Sequence, residues 1–268
     1  MDPATIIGVL IAFGALVGMI TLEGSSVTAI LLPPPMILVF GATIAVGIAG
    51  STIKDTLHAF KSLPRAFTGK PPKPAESIDA VVALAEKARR EGLLALEEDA
   101  AATKDPFLRE ALQNIADGVD GDELRVLLDD AIETKIKGDR TAAGFFQSLG
   151  GYAPTVGIIG TVVSLTHVLE NLSDPSALGP MIASAFVATL WGLLSANFLW
   201  LPLGARLNRL SDLEVDRMTL IMEGVLAVQS GSQPTLLRER LTALVPAHHR
   251  NGRDKPGKGG SGPMKSAA

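Results

Sequence analysis

Every Lys and Arg of this 268-residue chain falls in two stretches, 14 between positions 54 and 140 and 10 between positions 206 and 265. Residues 1–53 and 141–205 contain none. A soluble domain scatters basic side chains over its surface. Uncharged apolar runs of this length, separated by charged blocks, are the pattern of a membrane protein. With no cysteine, disulfides, thiolate metal ligands and Cys nucleophiles are excluded. A net charge of -4 argues against nucleic acid as a partner, because phosphate binding needs a basic surface.

A helix crosses a hydrocarbon core of about 30 Å with about 20 apolar residues. Four uncharged windows qualify: residues 3–22 (20 residues), 24–53 (30), 141–169 (29) and 175–205 (31). The first lacks a basic segment before it and a small-residue cleavage site after it, so it reads as a span rather than a leader. The first two windows meet at Glu23-Gly24-Ser25-Ser26, and the last two at the stretch from Glu170 to Pro175. The expectation is an all-α membrane protein with four transmembrane helices in two hairpins. Pro33-Pro34-Pro35 is expected at the mouth of the second span, with its helix over residues 36–51. The basic blocks place the long loop, the tail and the N-terminus in the cytoplasm, and both hairpin tips outside.

The middle block, residues 54–140, carries 18 acidic and 14 basic residues and reads as helices. Ser77 is a candidate cap for the run Ile78, Val81, Val82, Leu84, Ala85. Gly92 breaks or bends that run. Asp105-Pro106 opens a second helix, with Phe107, Leu108, Ala111, Leu112 and Ile115 at helical spacing. Asp120 or Asp122 opens a third, which runs past Arg140 and meets no turn signal before Gly150-Gly151. Five segments result: a first transmembrane hairpin (1–53), a helical cytoplasmic insertion (54–140), a second hairpin (141–205), a helical cytoplasmic extension of the fourth span (206–245) and a disordered tail (246–268).

Intramembrane Asp, Glu, Lys or Arg marks an ion path, and the four windows hold none. Their polar groups are Thr161, Ser164, Thr166 and His167 in the third, and Ser184, Thr189, Ser195 and Asn197 in the fourth. Hydroxyls at membrane depth do not titrate, so a proton-conducting assembly must take its carboxylate from another chain. His167, three residues before Glu170, reads as an interfacial histidine. Small residues at four-residue spacing recur: Gly14 with Gly18, Gly160 with Ser164, Ala185 with Thr189, Gly192 with Ala196. Such faces let helices approach closely and favour a packed oligomer. No phosphate-binding loop, HExxH or nucleophile elbow is present, so no enzyme is indicated.

The segments GGYAPTVGIIGTVV (150–163), GPMIASAFVATLWGLLSANFLWLPLG (179–204) and RREGLLALE (89–97) resemble the MotA family, the stator proteins of the bacterial flagellar motor. The resemblance spans most of residues 1–240. It implies a multi-pass protein of the bacterial inner membrane that self-associates into a ring around a MotB-type single-span partner. That partner supplies the ion-carrying Asp, and inward ion flow is coupled to torque on the rotor. Arg89 and Glu97, with Arg90 adjacent, match cytoplasmic charges that face the rotor protein FliG. Pro154 and Pro202 match prolines at the cytoplasmic sides of the third and fourth spans. Thr161 and Thr189 match hydroxyls near the ion path. The same residues have plainer readings: a solvated helix face, proline-started helices, and hydroxyls bonded back to an i−4 carbonyl.

The alternative within the superfamily is a TolQ- or ExbB-like proton-channel subunit energising the envelope, against which the paired N-terminal spans argue. An uncoupled membrane scaffold or enzyme subunit is the reading from another class. No cofactor or metal is implied. The translocated ion reads as a proton, with sodium the alternative because threonine oxygens can ligate it.

Overall fold

The computed structural model describes residues 4–249. The stretch 250–268, most of the tail expected to lack a core, lies outside the described residues. The helices are α1 (Ala4–Leu22), α2 (Pro33–Ala49), α3 (Ile53–Thr68), α4 (Pro74–Glu91), α5 (Leu96–Ala102), α6 (Pro106–Ala116), α7 (Gly121–Glu170), α8 (Pro175–Leu194), α9 (Leu201–Gln229) and α10 (Pro234–Leu244). Among the described residues there is no strand. Among the described residues the chain divides into two compact units, one of residues 4–71 and 135–213, the other of residues 72–134 and 214–249.

The first unit holds the apolar helices. Among the described residues, three helical runs are long and apolar enough to cross a membrane: α1, α7, and α8 continued through α9. Helix α2 is apolar but has 17 residues, about 25 Å at the α-helical rise, short of a hydrocarbon core of about 30 Å. It starts at Pro33, so the three prolines form its first turn instead of preceding a helix over 36–51. The amides missing there have no intrahelical acceptor in any helix, so proline costs nothing at those positions.

Large side chains lock this unit. Val39 of α2 packs with Val187, Trp191 and Leu194 of α8. The Trp191 indole donates to the Ile30 carbonyl at 2.6 Å, pinning the short turn between α1 and α2 onto α8. A second cluster joins Ala59 and Ala66 of α3, Phe145, Phe146 and Leu149 of α7, and Trp200, Leu203 and Leu207 around the start of α9. Phe146 and Trp200 stack with ring centroids 6.5 Å apart. Beyond these apolar contacts, Asp139 of α7 takes Arg65 of α3 at 2.9 Å and Lys135 of its own helix. Burial opposes its charge, but Lys135, Arg65 and the Ser211 hydroxyl outweigh that and hold its carboxyl below the usual range.

Two features depart from the sequence expectation. Helix α7 runs unbroken through Gly150-Gly151 to Glu170. Gly150 serves close packing: a Cβ there would lie 2.5 Å from Leu201 Cδ2. Between α8 and α9 the chain winds as a π-helical turn over Ser195–Trp200, closed by the Leu201 amide on the Ala196 carbonyl. Pro202 follows at once and has no amide to give the Phe198 carbonyl.

The second unit is water-facing by composition, with an apolar interior. Buried there are Ile78, Val81 and Leu84 of α4, Leu96 of α5, Phe107, Leu112 and Ile115 of α6, Leu124 and Leu128 of α7, Ile221 and Val225 of α9, and Leu237 and Leu241 of α10. Helix α4 starts at Pro74 behind Lys73, so Ser77 lies inside it and does not cap it; proline at the first position sets the start. Asp105 does cap α6, accepting the amides of Phe107 at 3.1 Å and Leu108 at 3.5 Å. Gly92 ends α4 with φ +85°, a left-handed conformation that glycine adopts without strain. The extension expected to be helical over 206–245 holds two helices: α9 stops at Gln229, and Gly231 (φ +74°) turns the chain into α10. Helix α9 anchors its neighbours. Arg125 of α7 and Arg240 of α10 share Glu223 at 2.8 and 2.7 Å, and Gly224 leaves room for Val81 and Leu241.

Candidate functional site

Thr161 of α7 and Thr189 of α8 meet in the first unit, their hydroxyl oxygens 2.5 Å apart. Thr161 Oγ1 also lies 2.9 Å from the Ala185 carbonyl and 3.2 Å from the Gly157 carbonyl one turn back. Each hydroxyl has one proton. The set is satisfied when Thr161 donates to Ala185 and accepts from Thr189. Thr161 so arranged gives its proton across the helices, and the longer approach to its own i−4 carbonyl at Gly157 competes for that same proton. Four oxygens converge there, two hydroxyls and two carbonyls, all uncharged hard donors.

What brings them together is the crossing of α7 over α8. Gly157 and Gly192 face each other there. A Cβ on Gly157 would sit 2.9 Å from the Ala188 carbonyl oxygen and 3.1 Å from Gly192 Cα. A Cβ on Gly192 would sit 2.8 Å from the Ala153 carbonyl oxygen. Gly160 is also tight, with Ala188 Cβ 2.9 Å away. The small-residue spacing at Gly160 and Gly192 hinted at this crossing, but Gly157 was not singled out by it. Gly14 and Gly18 of α1, by contrast, have nothing within 4 Å of an added Cβ.

Pro154 lies inside α7, one turn before Gly157, and is half-buried. It cannot donate to the Gly150 carbonyl, which loosens the helix locally. Pro202 sits in the first turn of α9 just past the π-helical turn. Thus α7 and the α8–α9 run each carry a segment in which proline removes a backbone donor. The π-helical turn had no clear sequence signal other than Pro202 itself. His167 is exposed near the end of α7, within reach of Glu170 at 3.4 Å and of Asn171 at 3.3 Å.

In the second unit Arg89 and Arg90 occupy the last turn of α4, and Glu97 the first turn of α5. All three are exposed, and among the described residues none makes an ion pair. Their placement also suits the helix dipoles, cations at a C-terminus and an anion at an N-terminus. The neighbouring charges are engaged: Lys87 holds Asp99 at 2.8 Å and Glu98 at 3.3 Å. The hydrogen bond to Asp99 is the main reason its ammonium pKa is raised. The structure thus brings Thr161 and Thr189 together, places Pro154 two turns before Thr161 and Pro202 past the π-helical turn that follows α8, and sets Arg89, Arg90 and Glu97 at the α4–α5 corner.

Helical and without strands among the described residues, with long uncharged stretches and a tight glycine crossing, the chain is of the helical membrane-protein class. Comparison with known proteins agrees: residues 99–220 match the MotA/TolQ/ExbB proton channel family, and residues 6–92 match the motility protein A N-terminal family. Motility protein A of Aquifex aeolicus is 32% identical over 247 residues, 91% of this chain and 97% of that one. The structure of C. jejuni MotAB superposes with a TM-score of 0.89 at 26% identity, covering 92% of this chain and 97% of that one. The flagellar MotAB stator complex from Bacillus subtilis gives 0.84 at 32% identity, covering 91% and 96%.

The chain belongs to the motility protein A family. It is a membrane stator subunit of the flagellar motor, a channel component and not an enzyme.

Proposed function

We propose that this chain forms a ring in the bacterial inner membrane around a MotB-type single-span partner, and that the pair carries protons inward to turn the rotor. The solved neighbours are MotAB complexes, which supports the partner and the assembly. In this reading four helices cross the membrane, α2 by tilting little or by local thinning of the bilayer, and both termini and the second unit are cytoplasmic. The partner's Asp carries the ion, because the spans of this chain offer no carboxylate. That absence, set beside the converged oxygens at Thr161 and Thr189, is the observation that carries the proposal.

Thr161 and Thr189 line the path and pass the ion along neutral donors and acceptors, where a fixed charge would trap it. Pro154 and Pro202 supply the local give that lets α7 and α9 respond when the partner's carboxylate changes charge. Arg89 and Glu97, with Arg90, present opposite charges to FliG. Proton is the favoured ion, and the hydroxyl and carbonyl oxygens leave sodium as the competing one.

Proton flux into liposomes tests the reading. Purified chain alone is expected to be silent and the co-purified pair active. Robust flux from the chain alone would overturn the missing-carboxylate argument. Swimming speed against external sodium at constant proton-motive force separates the two ions. Since the chain has no native cysteine, Cys placed at position 25 tests the topology. It should label only from outside.

A further inference from the structure

Arg217 of α9 is half-buried in the second unit and is held by two carboxylates. Its guanidinium contacts Asp105, just before α6, and Glu214, one turn back, at 2.7 Å. The side chains of Arg217 and Asp105 are each only 19% exposed. Asp105 acts through both oxygens. Oδ1 accepts the first amides of α6, and Oδ2 takes the guanidinium. Helix α6 packs on α5, whose first turn carries Glu97, and α5 holds Lys87 of α4 through Asp99. The α4 turn after Lys87 carries Arg89. The Arg238–Asp79 pair between α10 and α4 is far more exposed.

We propose that Arg217 and Asp105 are positioning residues for torque: they fix the α5–α6 hairpin, and with it the rotor-facing charges, to α9. The inference rests on the reading of Arg89 and Glu97 as rotor-facing. A force on those charges pulls sideways on short helices, α5 of 7 residues and α6 of 11. Apolar contacts resist separation but allow sliding, because they are non-directional. A desolvated guanidinium–carboxylate pair is directional and resists the slide. Helix α9 offers the firm attachment, since it is 29 residues long and holds α7 and α10 through Glu223.

Asp105→Asn separates anchoring from capping. Asn caps as well as Asp, so the oxygen stays on the α6 amides. The new amide nitrogen then faces the Arg217 guanidinium, donor against donor. In whole motors loaded with beads of different size, the substitution is expected to leave membrane abundance and low-load speed unchanged. Torque per stator unit at high load should fall by at least about twofold, and Arg217→Lys, which keeps the cation, should lose less. Unchanged torque per unit at high load would overturn the proposal. So would reduced abundance with normal torque per unit, which is the mark of an ordinary folding contact. Arg89→Glu with Glu97→Lys, run alongside, separates the two ideas. Normal torque in Asp105→Asn with impaired torque in the double reversal removes the anchor alone. Normal torque in both removes the rotor-contact reading as well.

Discussion

Gly157→Ala should damage this protein out of proportion to the one carbon it adds. A helix interior gains up to about 1 kcal/mol from Gly→Ala. Against that, the new Cβ would meet the Ala188 carbonyl oxygen at 2.9 Å, Gly192 Cα at 3.1 Å and Thr189 Cα at 3.2 Å. All three are backbone atoms, so no side-chain rotation relieves them. The helices have to part by several tenths of an ångström, at an overpacking cost of about 1–3 kcal/mol. The same movement stretches the Thr161–Thr189 contact, worth about 0.6–1 kcal/mol across helices in a membrane. The net expectation is a loss of about 1–3 kcal/mol, larger for Gly157→Val, with ion conduction falling as the oxygen cluster opens. Gly151→Ala is the matched control on the same helix, because nothing lies within 4 Å of its added Cβ. Thermal unfolding of the purified complex in detergent and swimming speed, measured on both variants, decide the matter. If Gly157→Val unfolds at the wild-type temperature and swims normally, the helix crossing does not set the site.

Thr161→Val and Thr189→Val keep shape and remove the hydroxyls; flux through the co-purified pair should fall in either, while assembly on size exclusion is retained. Arg89→Glu with Glu97→Lys should slow swimming severely without changing membrane abundance, although a single exposed pair is worth only about 0–1 kcal/mol, because every subunit of the proposed ring repeats the change. Asp139→Asn removes an acceptor shared by Arg65 and Lys135 and should cost about 1–3 kcal/mol at neutral pH. Asp139 has a folded pKa below its ordinary 3.8, so its contribution is present above that value and lost as pH falls through the folded one. The gap in unfolding temperature between wild type and Asp139→Asn should therefore close below about pH 4, and a gap that widens in acid would show the sign to be wrong.

Much of this architecture was legible because it follows from charge and from short local signals. The two stretches without Lys or Arg mark the apolar helices, Asp105-Pro106 marks the start of α6, and Gly92 marks the end of α4. The misreadings share a cause. Gly150-Gly151 reads as a turn in isolation, yet Gly150 is buried against Leu201 of α9, and α7 is continuous through it. The helix starts at Pro33 and Pro74 lie a few residues earlier than the periodic apolar pattern suggests, since proline at the first position supplies no apolar face. For the site, the resemblance pointed to Thr161 and Thr189 one at a time. Their contact depends on the register of α7 against α8, which Gly157 and Gly192 set together. No spacing within one helix encodes that register.

In the proposed reading this chain is the part of an ion-driven stator that delivers torque. A bead on a single flagellum, in cells lacking the chain, tests it most directly. Expression is induced and then the proton-motive force is lowered stepwise. The account predicts a still motor that regains rotation in equal torque steps as stator units join, with speed falling as the driving force falls. Rotation before induction, or torque indifferent to the chain's expression, would contradict it.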